Sequence, residues 1–585
     1  MQKKGKNYLI LGIIILVLLV TVFIKNLSYD YTMQGNELSV MHEYYTSATG
    51  YEVSNVDGLW HFEINGEDPQ FYLMGLENLG SGIGGIEIIF EKSMMTEAEL
   101  PIQVFYVKSG QSFAEKYSKK AVYKSDVESV KIPVSYDRYS TLRIDIDGDF
   151  VIKDVRICTE KMLSNAYVSS DTINVCMWYF PVIIVGVILI YMTHMSKKKK
   201  MEINAKEYIK SIFVGAESSK KRAVHYDYMR LLAVILVILA HACSPMVDMA
   251  DSNWKRFVLV CGLSLGLCCN LIYVMLSGTL LLSSKSKNGE ERVISFYIRR
   301  ASKVIIPLVM YYLLLLSLNG EVGFLPPENI GNAFKRIVTG APDVGPHLWL
   351  IYTIVALYFV TPFFKVMVQH LSDRMLFSLA IVILALNAIT TYLPLFGMVF
   401  GATTFLAGWE GVFLLGYVMS RQNKIENSQK RNNTLICLAV IAYIITVIVV
   451  YMDSSKMNYV YNNSPTMILV SCGIFAAFLK NKSWFENKSN FLVNMCSKYS
   501  YSIILIHWYA LFVVVQSKMH VTALRFGCAG GIIATVVLTF IVCLVIAIVY
   551  DNTVVIVCDM IFDKSVHYIW QKYKKIKQTK ICKDN

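Results

Sequence analysis

A chain of 585 residues that is 55% apolar and only 17% charged, with a mean hydropathy of +0.46, carries more hydrophobic surface than one soluble core can hide. Its net charge of +13 would suit a nucleic-acid binder, but the Lys and Arg residues gather in alternate loops between long apolar runs, which is the pattern of cytoplasmic loops in a polytopic membrane protein and argues against nucleic acid. The thirteen cysteines show no CxxC pair and no metal-ligand spacing, and only Cys158 lies in a soluble stretch placed outside, so neither a disulfide framework nor a metal centre is expected.

Residues 1–25 open with Lys3, Lys4 and Lys6 and continue as an apolar run from Tyr8 to Ile24. No small-residue cleavage site follows, so this reads as an uncleaved transmembrane anchor whose lysines stay in the cytoplasm. Residues 26–173 change period. Short alternating or β-branched runs (His61–Ile64, Ile86–Phe90, Ile102–Val107, Thr141–Ile146 and Val151–Ile157) are separated by Gly, Asn, Asp and Ser, which predicts an extracytoplasmic all-β, sandwich-like domain of seven or more strands. Within it, Gly80-Ser-Gly82-Ile-Gly84-Gly85 has the GxGxxG spacing, but a strand-like run follows where a dinucleotide site needs a helix, so a turn is the better account. The strand pattern and the Tyr139–Ile146 run resemble small jelly-roll domains of glycan-handling proteins; a spacer or docking role is an equal alternative to sugar binding.

A second transmembrane helix is predicted over 174–195, ending at Lys197–Lys200, and a cytoplasmic linker over 196–222 ends in Lys220, Lys221 and Arg222. The stretch Tyr226–Pro245 is an apolar helix carrying two ionisable groups, Arg230 and His241. Eleven positions of helix are three turns plus roughly 20°, so both lie on one face about 16 Å apart along the axis. Ionisable side chains at membrane depth are costly and usually face a polar site. A cation at one depth and an imidazole at another could hold an anionic ligand and act on it deeper in, Arg230 near the cytoplasmic interface and His241 nearer the outer leaflet. Either residue alone could also be an interfacial anchor or a buried, satisfied histidine.

Further spans are predicted near 256–283, 304–319, 347–365, 374–393, 402–420, 434–452, 465–480, 499–517 and 527–550, which makes twelve in all, ten of them in a core at 223–550, with both termini inside and a basic cytoplasmic tail at 551–585. The inner loops hold Lys285, Lys287, Arg292, Arg299, Arg300 and Lys303; Arg421, Lys424, Lys430 and Arg431; and Lys480, Lys482 and Lys488. An outer loop at 320–346 holds Glu321, Glu328 and Asp343.

Several fragments, taken in order, resemble one family. Asp227-Tyr-Met-Arg230 with His241, Val274-Met-Leu-Ser277-Gly278, Phe296–Pro307, His347-Leu-Trp349 with Tyr352 and Pro362, Phe413-Leu-Leu-Gly416-Tyr417, and Ser497–Ile503 with His507 are similar to the landmarks of membrane acyltransferase family 3 over 223–550. The family often has Arg-x-x-Arg where this chain has Arg300-Ala-Ser-Lys303, which keeps the charge and loses the planar fork. The resemblance implies transfer of an acyl group, usually acetyl, from cytoplasmic acyl-CoA as co-substrate to a hydroxyl of a cell-surface or lipid-linked glycan at a bacterial-type plasma membrane, with no bound cofactor.

On that reading Arg230, Arg299, Arg300 and Lys303 form a cationic entry for the phosphates of the donor. His241 is general base or transient acyl carrier, and the sequence leaves both open. Glu410, an acid within a span, could orient an imidazole, bind the acceptor or be paired for packing. Asp227 lies one turn before Arg230 and could hold it. His347, Trp349, Tyr352 and His507 are acceptor-side or structural candidates, and Ser277 a small residue for helix approach. No Gly-Asp-Ser nucleophile segment occurs, so the glycan is expected to be acylated directly or through a partner among other envelope-glycan enzymes. Transport of a small solute or lipid-linked sugar, and a non-catalytic assembly role, are the competing classes.

Overall fold

The computed structural model describes residues 2–95, 97–111, 113, 117–214, 223–283, 290–318, 327–340, 345–398, 408–422, 428–488, 491–566, 568–569 and 571. Lys220, Lys221, Arg222, Lys285, Lys287, Glu321, Asp343, Lys424 and the tail from Lys572 lie outside the described residues. The chain forms two units, residues 1–187 and 188–585.

The first unit begins with helix α1 (Gln2–Lys25), whose apolar side chains from Leu9 onward are largely exposed, as a lipid-facing surface requires. Strands β1 (Ser28–Thr32) and β2 (Glu37–Ser39), the short helix α2 (Met41–Tyr44), then β3 (Tyr45–Thr49), β4 (Tyr51–Val56), β5 (Leu59–Ile64), β6 (Gln70–Met74), β7 (Ile83–Phe90), β8 (Glu99–Val107), β9 (Ser118–Lys124), β10 (Ser129–Asp137), β11 (Thr141–Ile146), β12 (Phe150–Cys158) and β13 (Leu163–Tyr167) follow. One sheet runs β10-β7-β12-β5-β4, with β2 also on β12; the second runs β3-β6-β11-β8-β9; β1 and β13 form a separate ribbon. Alternation sets the core: in β11, Leu142, Ile144 and Ile146 point inward while Thr141, Arg143 and Asp145 do not. Phe62 of the first sheet lies 4.8 Å from Phe71 of the second and 4.7 Å from Phe150, ring centroid to ring centroid, so aromatic contacts join the two layers. The GxGxxG stretch runs into β7, and a Cβ on Gly84 would strike the Glu160 carbonyl, so this glycine serves close backbone packing.

Helix α3 (Ser170–Met201) begins in the first unit and ends in the second. There follow α4 (Ala205–Val214), α5 (Val224–Cys243), α6 (Asn253–Gly266), α7 (Cys269–Leu282), α8 (Glu290–Arg300), α9 (Ile306–Leu318), α10 (Pro327–Thr339), α11 (Trp349–His370), α12 (Asp373–Tyr392), α13 (Trp409–Gln422), α14 (Ser428–Met452), α15 (Met457–Val460), α16 (Pro465–Lys480), α17 (Lys482–Glu486), α18 (Phe491–Tyr509) and α19 (Cys528–Tyr550). Ser252, Ser372 and Ser464 start α6, α12 and α16, each accepting a backbone N–H three residues on.

Among the described residues eight helices are long and apolar enough to cross a membrane, or nine if Ser454–Val460 and Pro465–Lys480, bent by 62°, make one span. The twelve expected spans differ from these by that bent pair and by three shorter apolar segments, Leu9–Lys25, α9 and α13. The chain is thus a multi-pass helical membrane protein with an all-β domain near its N-terminus.

Two features shape the interior of the helical unit. A Cβ on Gly278 would run into the Phe413 carbonyl and one on Gly416 into the Met275 carbonyl, so α7 and α13 touch backbone to backbone, and Thr279 Oγ1 donates to Gly416 O at 2.8 Å. Among the described residues three π-helical segments, Ala301–Ile305, Ala510–Lys518 and Asp551–Val555, interrupt the α-helical winding. The first lies just before Pro307, which has no N–H to give to residue 303.

Candidate active site

α5 is apolar on most of its surface, and its polar groups lie at two levels. At the first, Asp227 and Arg230 are one turn apart, and Arg230 Nη1 lies 3.1 Å from Asp227 Oδ1. Ser497 of α18 joins them: Arg230 Nη1 donates to its Oγ at 2.7 Å, and that hydroxyl donates to Asp227 Oδ1 at 2.5 Å. The guanidinium is thereby aimed by two helices and remains about a quarter exposed, 26% of its side chain, while the Asp227 side chain is 6% exposed. A buried acid is tolerable only with such partners.

Arg230 opens onto a cavity of about 730 Å³. Its cationic lining is Lys197, Arg230, Arg300, Lys303 and Lys498, against the carboxylates Asp551 and Asp559. Two of the π-helical segments contribute directly, the first with Lys303 and Val304 and the last with Asp551, Asn552 and Val555. The two acids are held by hydroxyls: Ser502 Oγ donates to Asp551 Oδ1 at 2.5 Å and Ser302 Oγ to Asp559 Oδ1 at 2.8 Å. Arg300 stacks its guanidinium against Phe296 and Tyr358, at 5.4 and 5.3 Å from the ring centroids. Its Nε is buried with no hydrogen-bond partner among the described residues. Such a cation-rich, partly dry cavity suits a polyanion.

At the other level, His241 lies with His347, from the 3₁₀ turn Pro346–Leu348 that leads into α11, and with His507 from α18. The ring centroids are 5.2 Å apart for His241 and His507 and 4.9 Å for His347 and His507. Trp508 packs on His241 at 5.1 Å and stacks parallel to His347 at 5.5 Å. Two of the imidazoles are fixed by backbone carbonyls. His507 Nδ1 lies 2.6 Å from Ile504 O and His347 Nε2 lies 2.9 Å from Leu505 O. A carbonyl only accepts, so each of these nitrogens carries a proton. The opposite nitrogens, His507 Nε2 and His347 Nδ1, are buried without a hydrogen-bond partner among the described residues. His241 is half-buried and has no such backbone anchor among the described residues. It is the imidazole of the three whose orientation no backbone carbonyl fixes, so its ring is free to turn either nitrogen toward a substrate.

The remaining expected residues scatter. Arg299 is exposed and does not line the cavity that Arg300 and Lys303 share. Tyr352 Oη donates to Ile337 O, pinning α10 to α11. Trp349 packs against Trp409 at 5.6 Å, beside Glu410 in the first turn of α13. Glu410 is half-buried, and its Oε2 is buried with no hydrogen-bond partner among the described residues. Ser277 lines the cavity. Four residues of the site, Ser497, Trp508, Lys498 and Lys197, do not stand out in the sequence. Ser497 and Lys498 open the Ser497–Ile503 segment, which is distinguished there only as a whole. Lys197 belongs to a lysine run that reads as a topology signal, and nothing in an apolar run distinguishes Trp508 from packing. Among the described residues no group of His, Cys, Asp and Glu is arranged to hold a metal.

A family model described as an acyltransferase domain, Acyl_transf_3, matches residues 224–550. No curated protein matches the chain. Among solved structures, a low-affinity xylan-binding module from Roseburia intestinalis is similar at 10% identity, covering 21% of this chain and 95% of its own, with a TM-score of 0.17, too low to carry any argument about this protein.

Proposed function

The chain belongs to the Acyl_transf_3 family of acyltransferases, and from that premise we propose that it moves an acyl group, acetyl in the first instance, from cytoplasmic acyl-CoA to a hydroxyl of a cell-surface or lipid-linked glycan. The observation that carries this reading is that one helix, α5, presents Arg230 to a cationic cavity and His241 to a cluster of imidazoles. The donor's phosphates belong with Arg230, Arg300 and Lys303, and Arg299, exposed nearby in the chain, adds charge at the approach. The pantetheine arm then runs along α5 for about 16 Å, the rise of eleven residues.

At the far end a glycan hydroxyl is a poor nucleophile until a base removes its proton. His241 takes that proton as the oxygen attacks the thioester carbonyl. The C–O bond forms, the C–S bond breaks, and the proton passes to the departing thiolate, giving acylated glycan and CoA. His347 and His507, fixed by carbonyls, hold the ring environment, and Glu410 is assigned to the acceptor side with Trp349. The β domain is placed outside and both chain termini inside, at a plasma membrane.

The test uses membranes from cells with and without the protein, supplied with radiolabelled acetyl-CoA from the cytoplasmic face. Label should enter polysaccharide with the native chain and not with His241→Gln. Equal labelling with the substituted protein would remove His241 from the chemistry, and no labelling by folded native protein, with its own glycans present, from any acyl-CoA would defeat the reading.

A further inference from the structure

Residues 188–214 precede the segment matched by the family model, yet they contribute to the lining of the charged cavity. Lys197, near the end of α3, is among its lining residues. A chain of hydrogen bonds fixes where that lysine stands. One turn before it, His194 Nε2 lies 2.8 Å from the Asn552 carbonyl and must donate to it, while Nδ1 lies 2.8 Å from Tyr208 Oη of α4. Asn552 Nδ2 donates to Tyr499 Oη at 2.8 Å, and Tyr499 Oη donates to Ile212 O at 2.5 Å in the last turn of α4. Lys498 Nζ donates to that same carbonyl and, at 3.2 Å, to Ser211 O, so it also supports the carbonyl end of the helix. The bonds close a ring through α3, α4, α18 and the last π-helical segment, and Lys498 and Asn552 of that ring face the cavity.

Lys197 itself is exposed and holds no hydrogen bond or ion pair among the described residues; the carboxylate in its field is Asp559, which it shares with Lys303. A lysine held in place by its helix, bound in no ion pair among the described residues and sharing its nearest carboxylate with a second lysine, is a contact awaiting an anion. We infer that the α3–α4 hairpin is part of the donor site rather than a tether, and that Lys197 contacts a phosphate of the nucleotide-bearing thioester. This rests on the proposed donor site and adds to it a cation from outside the family domain.

The test is titration of CoA into the purified full-length protein in detergent, followed by steady-state kinetics with acetyl-CoA. Lys197→Ala should weaken CoA binding about fivefold to tenfold, the size of one charge-assisted contact. Lys197→Glu should weaken it further, and Lys197→Arg should stay within about twofold of native. The kinetic effect should fall mainly on KM for acetyl-CoA rather than on kcat, a division that general destabilisation would not produce. His194→Phe, which breaks the ring while keeping the Lys197 side chain itself, should also weaken CoA. Native affinity in Lys197→Ala and Lys197→Glu, with Arg300→Ala impaired, would reduce the hairpin to a strut and leave the donor reading standing. Native affinity in Arg300→Ala and Arg230→Ala as well would overturn both.

Discussion

The imidazoles of His241 and His507 face each other with ring centroids 5.2 Å apart, and only His507 is tied to a backbone carbonyl. This asymmetry assigns different consequences to the two residues. His241→Gln should lower kcat by about 10² to 10⁴, the usual worth of a positioned general base, with KM for acyl-CoA little changed. His507→Gln should cost less, since it perturbs the setting and not the transferred proton. Single-turnover labelling of glycan by both variants checks the order.

Ser497 is predicted to matter for the donor although it carries no charge. Its hydroxyl bridges Arg230 and Asp227. Ser497→Ala removes both bonds, and KM for acyl-CoA should rise about tenfold, as expected for loss of a hydrogen bond to a charged group. Ser497→Thr should largely restore it. Parallel KM measurements on the two variants decide whether the bridge or merely the small volume is required.

Gly416→Val should disrupt the helical unit outright. A side chain there meets the Met275 carbonyl, so α7 and α13 must separate. Overpacking of this kind costs about 1–3 kcal/mol, and backbone contact leaves little room to relax. The half-point for loss of monodisperse protein on heating in detergent should fall clearly, and Thr279→Ala, which loses only one bond at the same crossing, should shift it less.

How far the sequence reveals this arrangement depends on the range of the interaction. The period-2 runs locate β5, β7, β8, β11 and β12, because burial of one sheet face writes directly into the residue order. The Arg230–His241 stripe is legible for the same reason, since both residues share one helix. Partners from distant segments are not. Ser497 reaches Arg230 across 267 positions, and His194 reaches Asn552 across 358, and neither pairing leaves a local trace. Lys197 is visible only as a charge, and charge alone cannot say whether a lysine faces headgroups or a cavity.

The β domain offers a separate test by pH. Hydrogen bonds from Ser93 and then Lys153, whose Nζ lies 2.9 Å from Oε2, hold the Glu91 carboxyl down to about 2 from its usual 4.5. A depressed carboxylate contributes stability that is complete above the unfolded value and disappears as pH falls through the folded one. The contribution of Glu91 should therefore fade between pH 4.5 and 2. Glu91→Gln should flatten that part of the acid-unfolding curve followed by near-ultraviolet dichroism, and should lower stability near neutrality, where the contribution is complete.

The π-helical turn at Ala301–Ile305 makes the rotational phase of α8 and α9 differ from that of one continuous α-helix. One residue is worth about 100° of rotation, so a helical wheel drawn straight through this stretch misassigns every face beyond it. Removing a single residue there would rewind the segment and swing Arg300 away from the compartment it shares with Lys303, with almost no change in composition or hydropathy. A one-codon deletion is therefore an evolutionary route by which a relative could lose donor recognition while keeping every motif residue, and alignments that tolerate a gap at this point would hide it.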